Sequence, residues 1–303
     1  MSSILKVNTI QDQDGNNIIN ESSNTITIGA SGDTVNVVGT LQNNGSAVEV
    51  DSVTFKEGGT NFTNSLLVGT DSTGTLDAAT GNTGVGTGVF AALTSGDNNI
   101  AVGLNSLAAL TTGTENTAVG KEAMCSNTTA SNNTALGSGA LKTNSTGEGN
   151  TAIGAYSLDA STTSNHNTGV GQNTLTANTT GYANTAIGYN SLCSHTTGNS
   201  NTAIGDNTMR LTTTGTFNVA VGDNALCANT TASSNVAIGR DSLFANTTGA
   251  NNVAVGALAM DANTTGYDTV VMGSEALTSA TTGHTNTALG RQALCKNTTG
   301  STN

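Results

Sequence analysis

Asn150-Thr151-Ala152-Ile153-Gly154-Ala155-Tyr156-Ser157-Leu158-Asp159-Ala160-Ser161-Thr162-Thr163-Ser164-Asn165-His166 is followed at once by Asn167-Thr168-Gly169-Val170-Gly171. The same pattern runs from Asn82 onward with a period of 17 residues and no insertion or deletion. Its glycines stand at Gly86, Gly103, Gly120, Gly137, Gly154, Gly171, Gly188, Gly205, Gly222, Gly239, Gly256, Gly273 and Gly290. A fixed period of this kind marks a solenoid, in which each repeat packs only on its neighbours.

With the glycine counted as position 0, the residue at −1 is always apolar and the residue at +4 is always Leu, Met or Phe. The residue at +3 is small in nearly every repeat, and a Thr-Thr pair or near equivalent follows, usually with another glycine after it. The Thr-Ala-Ile segment reads as a short strand, whose alternate side chains face opposite ways. On this reading Thr151 and Ile153 face the coil interior, and Ala152 faces outward. Gly154 and its equivalents make the corner that a residue with a Cβ resists, and Leu158 points back inside from a second short segment. Seventeen residues then form one coil of two short strands and two turns. The expected core is Ile153, Leu158, Ile187, Leu192, Ile204, Ile238 and Leu243, with the thirteen glycines at the turns. A helical repeat is disfavoured, because the segments are short and rich in Gly, Thr and Asn.

Composition agrees with a fold that repeats rather than one built on a large core. Aromatic residues are 3% of the chain, charged residues 9%, and Trp and Pro are absent. Disorder would not keep so strict a register of apolar residues. The net charge of −12 argues against nucleic acid and anionic membrane as partners. No apolar run approaches membrane-spanning length, and Met1-Ser2-Ser3-Ile4-Leu5-Lys6 lacks a signal peptide's apolar stretch.

The Asn-Thr-Ala-Ile-Gly-x-x-Ser/Ala unit resembles the head repeat of trimeric autotransporter adhesins, over residues 82–303. That resemblance implies a left-handed parallel β-roll and a homotrimer; the chain departs from the family in its 17-residue period and lacks its stalk and anchor. The thin core of two or three large side chains per coil also favours association, and the small residues Ala152, Ala186 and Ala203 are expected to let neighbouring chains approach closely. The overall expectation is an all-β, left-handed parallel β-solenoid of 17-residue coils, trimeric, with a small irregular β-rich module at its N-terminal end.

Residues 1–64 are read as that module, with alternating segments such as Asn24-Thr25-Ile26-Thr27-Ile28-Gly29 and Thr34-Val35-Asn36-Val37-Val38-Gly39. Residues 65–81 form a degenerate capping coil: Leu66-Leu67-Val68-Gly69 stands one period before Gly86, but Thr73 replaces the expected Leu and Asp77 the first Thr. The opening Ile4-Leu5-Lys6-Val7-Asn8-Thr9-Ile10-Gln11-Asp12 resembles the N-terminal part of tail-fibre-like proteins of tailed bacteriophages. This implies a virion-attachment module followed by a fibrous shaft, docked to other virion tail proteins at its N-terminal end, with a host-surface glycan or receptor as a further partner. The array ends in phase at Asn303, so the expectation is either that a C-terminal domain has been removed or that a capping or tip protein covers this end.

The residues that could carry chemistry are few. Cys125, Cys193, Cys227 and Cys295 all occupy position +5, two or four repeats apart, too far for disulfides within one chain. They read as small buried apolar residues. Lys142, Asp159, Arg210 and Asp261 share that position and suggest a largely wet face. His166, His195 and His284 occupy three different positions and read as isolated surface histidines. No metal, cofactor or nucleophile motif is present, so no catalytic, metal or cofactor site is expected. The Thr-Thr pairs read as hydroxyl ladders within the stack rather than an ice-binding face, since adjacent threonines point opposite ways. Asn-Thr-Thr matches to glycosylation acceptors, as at Asn178, carry little weight in so repetitive a chain. The expected function is the structural shaft of a phage tail fibre or virion appendage contributing to host adsorption, and not an enzyme. The alternative is a bacterial cell-surface or extracellular adhesin of the same β-roll type.

Overall fold

The computed structural model describes residues 48–50, 53–57, 61–69 and 73–303. The segments read as strands at 24–29 and 34–39, and the stretch 4–12, lie outside the described residues. The described part is all-β, with no helix. A hairpin of β1 (Val48–Val50) and β2 (Val53–Glu57) runs antiparallel to β4 (Leu66–Gly69). From β4 onward every pairing in this sheet is parallel. β4 pairs with β6 (Thr83–Gly86), matching Leu66 to Thr83 and Gly69 to Gly86. Twelve three-residue strands follow, β7 to β18, from Ile100–Val102 to Thr287–Leu289. Each pairs with the next at an offset of one repeat, as Thr151↔Thr168 and Ile153↔Val170. The result is one 16-stranded sheet running the length of a β-solenoid. The expected degenerate coil at 65–81 stacks on the first regular one through β4 and through the short pair β3 (Phe62–Thr63) and β5 (Ala79–Thr80).

Each regular coil contains one strand, not two. The segment expected to form the second strand is a turn, because Tyr156 and Leu158 adopt φ of 58° and 55°. Position +4 is left-handed in every regular coil, from Phe90 (57°) to Leu294 (51°). This explains why only Leu, Met and Phe occur there. A left-handed backbone costs an L-residue about 1–2 kcal/mol and is worst for β-branched side chains. Burying a large side chain that is unbranched at Cβ returns about 1.5–3 kcal/mol. Leu158, Leu192 and Leu243 are fully buried as expected, in a column that runs from Phe90 to Leu277.

The expected inward face of the strand is its outward face. Ala152, Ala186 and Ala203 are fully buried, whereas Ile153, Ile187, Ile204 and Ile238 are 36–40% exposed. The interior beside the strand is narrow, because the +3 and +4 side chains already occupy it, and position −2 holds Ala or Gly in every regular strand but one, where Val271 is also fully buried. Gly84 shows the limit: a Cβ there would press on Leu67, Val89 and Phe90. Gly169 replaces Ala for the same reason, opposite Ser157 and Thr174.

The corner glycines sit where expected, with φ between 112° and 144°. They serve close stacking as well as turning, since a Cβ on Gly154 would land on the carbonyl of Gly171 in the next coil. The stack is also held from inside by asparagine at position −4. Asn167 Nδ2 donates to Asn150 Oδ1 (3.2 Å) and to the Gly181 carbonyl (2.9 Å), and the Asn167 backbone N–H donates to the same Oδ1 (3.0 Å). This ladder is buried and continues from Asn82 to Asn252, is interrupted at Thr269, and resumes at Asn286.

Candidate functional site

The outward sheet face is built from two columns, positions −3 and −1 of the thirteen strands β6 to β18. Strand alternation places both on one side. Position −3 carries Thr, Val or Ile, and position −1 carries Val, Ile, Leu or Met. Val85, Ile100, Leu136, Ile153, Ile187, Ile204, Ile238, Val270, Met272 and Leu289 are all exposed. Two positions in each of thirteen strands give 26, and none is charged.

Charge appears immediately beside this strip. Positions +1 and +2 hold Lys121, Glu122, Asp206, Asp223, Arg240, Asp241, Glu275 and Arg291. Arg240 pairs with Asp241 (2.8 Å), Lys121 lies 3.7 Å from Glu122, and Lys142 reaches Glu122 from the adjacent turn (2.8 Å). The Lys142 ammonium, by hydrogen bond and charge, holds the Glu122 carboxyl below the usual carboxylate range. An uncharged strip, apolar but for eight threonines at −3, with a charged border has the layout of an interface core and its rim.

The remaining columns are internally satisfied to a large degree. The first threonine of each pair forms the expected hydroxyl ladder: Thr179 Oγ1 donates to the Thr196 carbonyl (3.2 Å) and Thr196 Oγ1 to that of Thr213 (3.1 Å). The second, such as Thr180 and Thr248, is exposed. The asparagines of the Asn-Thr-Thr matches point inward: Asn178, Asn229, Asn246 and Asn263 are fully buried, and Asn178 Nδ2 donates to the Gly181 carbonyl (3.0 Å).

All four cysteines are free thiols on the turn after the +4 residue, off the sheet face. Cys227 is buried as expected, but the other three are only partly covered; Cys125 Sγ and Cys193 Sγ rest on the Lys142 and Arg210 carbonyls of the next coil. On the same column Asp159 accepts from Thr176 Oγ1 (2.9 Å), and burial pushes its carboxyl above the usual range. Burial likewise raises Asp261, whose Oδ1 has no partner.

The histidines do not share one environment. His166 is exposed, and His284 stacks on Tyr267 with ring centroids 4.7 Å apart. His195 departs from the surface reading. It is fully buried at position +7, where neighbouring coils place Asn or Thr. Its Nε2 lies 2.7 Å from the Gly198 carbonyl and so carries the proton, while Nδ1 has no partner. Burial pushes this imidazole's pKa down. Sequence position could have found it, since the residue stands in a column where every residue from Leu93 to Ala280 is buried, half of them asparagines.

Among the described residues no group of three or more His, Cys, Asp and Glu side chains is arranged to hold a metal ion, and no helix is long and apolar enough to cross a membrane. No protein-family model, curated protein or solved structure matches the chain.

Proposed function

We propose that this protein is the structural shaft of a phage tail fibre or related virion appendage, assembled as a homotrimer and joined to the tail through its N-terminal module. The observation that carries the reading is the unbroken parallel stack, thirteen regular strands long, each coil supported by the next through backbone, asparagine and threonine ladders. A stack of this kind holds a fixed length and direction with little side-chain volume. At about 4.8 Å per strand it spans roughly 58 Å across the regular strands alone. The resemblance of the repeat to adhesin heads, and of residues 4–12 to tail-fibre proteins, supports the appendage role and a contribution to host adsorption.

Gold-labelled antibody against the chain, imaged on particles of a phage that carries the gene, tests this. Label on the tail appendage is the expected result. Label confined to the host cell envelope would overturn it.

A further inference from the structure

We propose that copies of this chain associate through the outward sheet face, with positions −3 and −1 of β6 to β18 forming the contact. The proposal rests on the shaft reading and names the surface that such an assembly uses. It also replaces the alanine face of the sequence reading, since those alanines line the coil interior.

The extent of the strip is the first argument. A band roughly 58 Å long and about 10 Å wide covers about 600 Å². Rim residues beside it, including Leu104, Tyr189 and Phe217, are 45–64% exposed. The strip alone, at about 600 Å² per copy, approaches the about 800 Å² that a standard stable interface buries on each partner. Monomeric proteins rarely leave an apolar patch of more than a few hundred Å² in water.

Periodicity decides the occupant. The strip repeats at the strand spacing along its whole length, and a second copy of this chain presents the same repeat. Complementarity achieved at one coil is therefore achieved at all thirteen. A partner without that period matches only a few coils. The absence of charge is the third argument: the 26 strip positions carry none, while the eight charged residues at +1 and +2 stand at the rim, where they remain solvated. A trimer that turns these strips toward a common axis buries them and leaves the charges outside.

The test compares the full-length protein with Ile187→Lys/Ile204→Lys at the centre of the strip and with Thr180→Lys/Thr197→Lys on the exposed threonine column. The wild type is expected to sediment as a trimer. The isoleucine variant is expected to dissociate with affinity reduced at least about 100-fold, because each buried lysine lacks a counter-charge. The threonine variant is expected to remain trimeric. Labelling avoids dependence on the folding of the lysine variant. In a background with all four native cysteines changed to Ser, a thiol at Ile187→Cys is expected to react with maleimide at least about 10-fold more slowly than one at Thr180→Cys, as buried thiols are shielded. An oligomer that survives Ile187→Lys/Ile204→Lys, or equal labelling of the two thiols in an oligomer, overturns the face while leaving the shaft reading intact. A wild-type monomer at micromolar concentration overturns the trimeric shaft and this face together.

Discussion

Asparagine at −4 explains why the first residue of the repeat hardly varies. Its Oδ1 accepts twice from the next coil, and its Nδ2 donates back to the previous coil and forward to a turn carbonyl, so one side chain joins three segments. Thr269 is the break in this column. It keeps the backbone bond to Asn252 Oδ1 (3.2 Å), but its hydroxyl meets the Asn286 N–H at a longer 3.3 Å and has no amide to donate forward. Thr269→Asn is expected to stabilise the fold by about 1 kcal/mol, a typical net gain for a hydrogen bond. Asn184→Ala removes two donations to Asn167 Oδ1 and the Gly198 carbonyl, and it strands the Asn201 backbone N–H, while Asn201 Nδ2 keeps only the Gly215 carbonyl. It is expected to cost about 3 kcal/mol or more, since buried unsatisfied groups carry about 1–3 kcal/mol each. Chemical denaturation followed by circular dichroism should place the order T269N, wild type, N184A.

His195 is the second residue whose effect can be isolated. Its folded pKa lies below the ordinary value of 6.5, because burial disfavours the charged ring. The unfolded chain therefore binds a proton that the folded one resists. Stability is full above about pH 6.5 and falls as pH drops below it, until the folded imidazole also titrates. Asp159 and Asp261 act with the opposite sign and at lower pH. Their raised folded pKa values mean that stability rises as pH falls through them toward 3.8. Melting temperatures of wild type and His195→Asn between pH 8 and pH 5 separate these contributions. The wild type should lose stability below about pH 6.5 relative to the variant, and parallel curves would refute the assignment.

At the scale of the coil, the turn at +4 governs both packing and composition. Leu192→Ile places a β-branched side chain at φ of 52° and should destabilise the fold, because its backbone strain exceeds the about 1–2 kcal/mol that Leu already bears there. Leu192→Met should cost less than about 1.5 kcal/mol, since Met124, Met209 and Met260 already occupy the column. Thermal melts of the two variants check the difference, and equal destabilisation would argue against left-handed strain as the cause. The same turn explains what the sequence left unread. The period, the strand, the corner glycines and the leucine column were legible because each rests on residue type at a fixed position. Alternation along Thr151-Ala152-Ile153 yields two faces but does not say which is inside. That choice depends on how much room the left-handed corner leaves across the coil, and the corner was read as a strand. A trace of the answer was present in Gly84 opposite Phe90 and Gly169 opposite Thr174, where the −2 residue shrinks as its neighbours grow. His195 was misplaced for a related reason: an inward polar column looks like surface until the asparagine ladder is seen.

At the scale of the whole molecule, the repeat acts as a unit of length. Every pairing from β6 to β18 has the same offset, so the coil and not the residue is the smallest piece that can be removed without disturbing register. Deleting residues 151–167 joins Asn150 to Thr168 and restores the repeat with one coil fewer. Deleting residues 151–166 leaves one residue too many, which reverses the faces of every strand side chain at the junction and sends the valines and isoleucines toward the narrow interior. The 17-residue deletion is expected to fold, to keep the wild-type oligomeric state and to shorten the particle by about 4.8 Å. Removing six whole coils should shorten it by about 29 Å. The 16-residue deletion is expected to lose β-sheet signal and to aggregate through unpaired strand edges. Averaged electron micrographs give the particle length and circular dichroism gives the fold. Tolerance of the out-of-phase deletion would show that the coils are not locked in the register described.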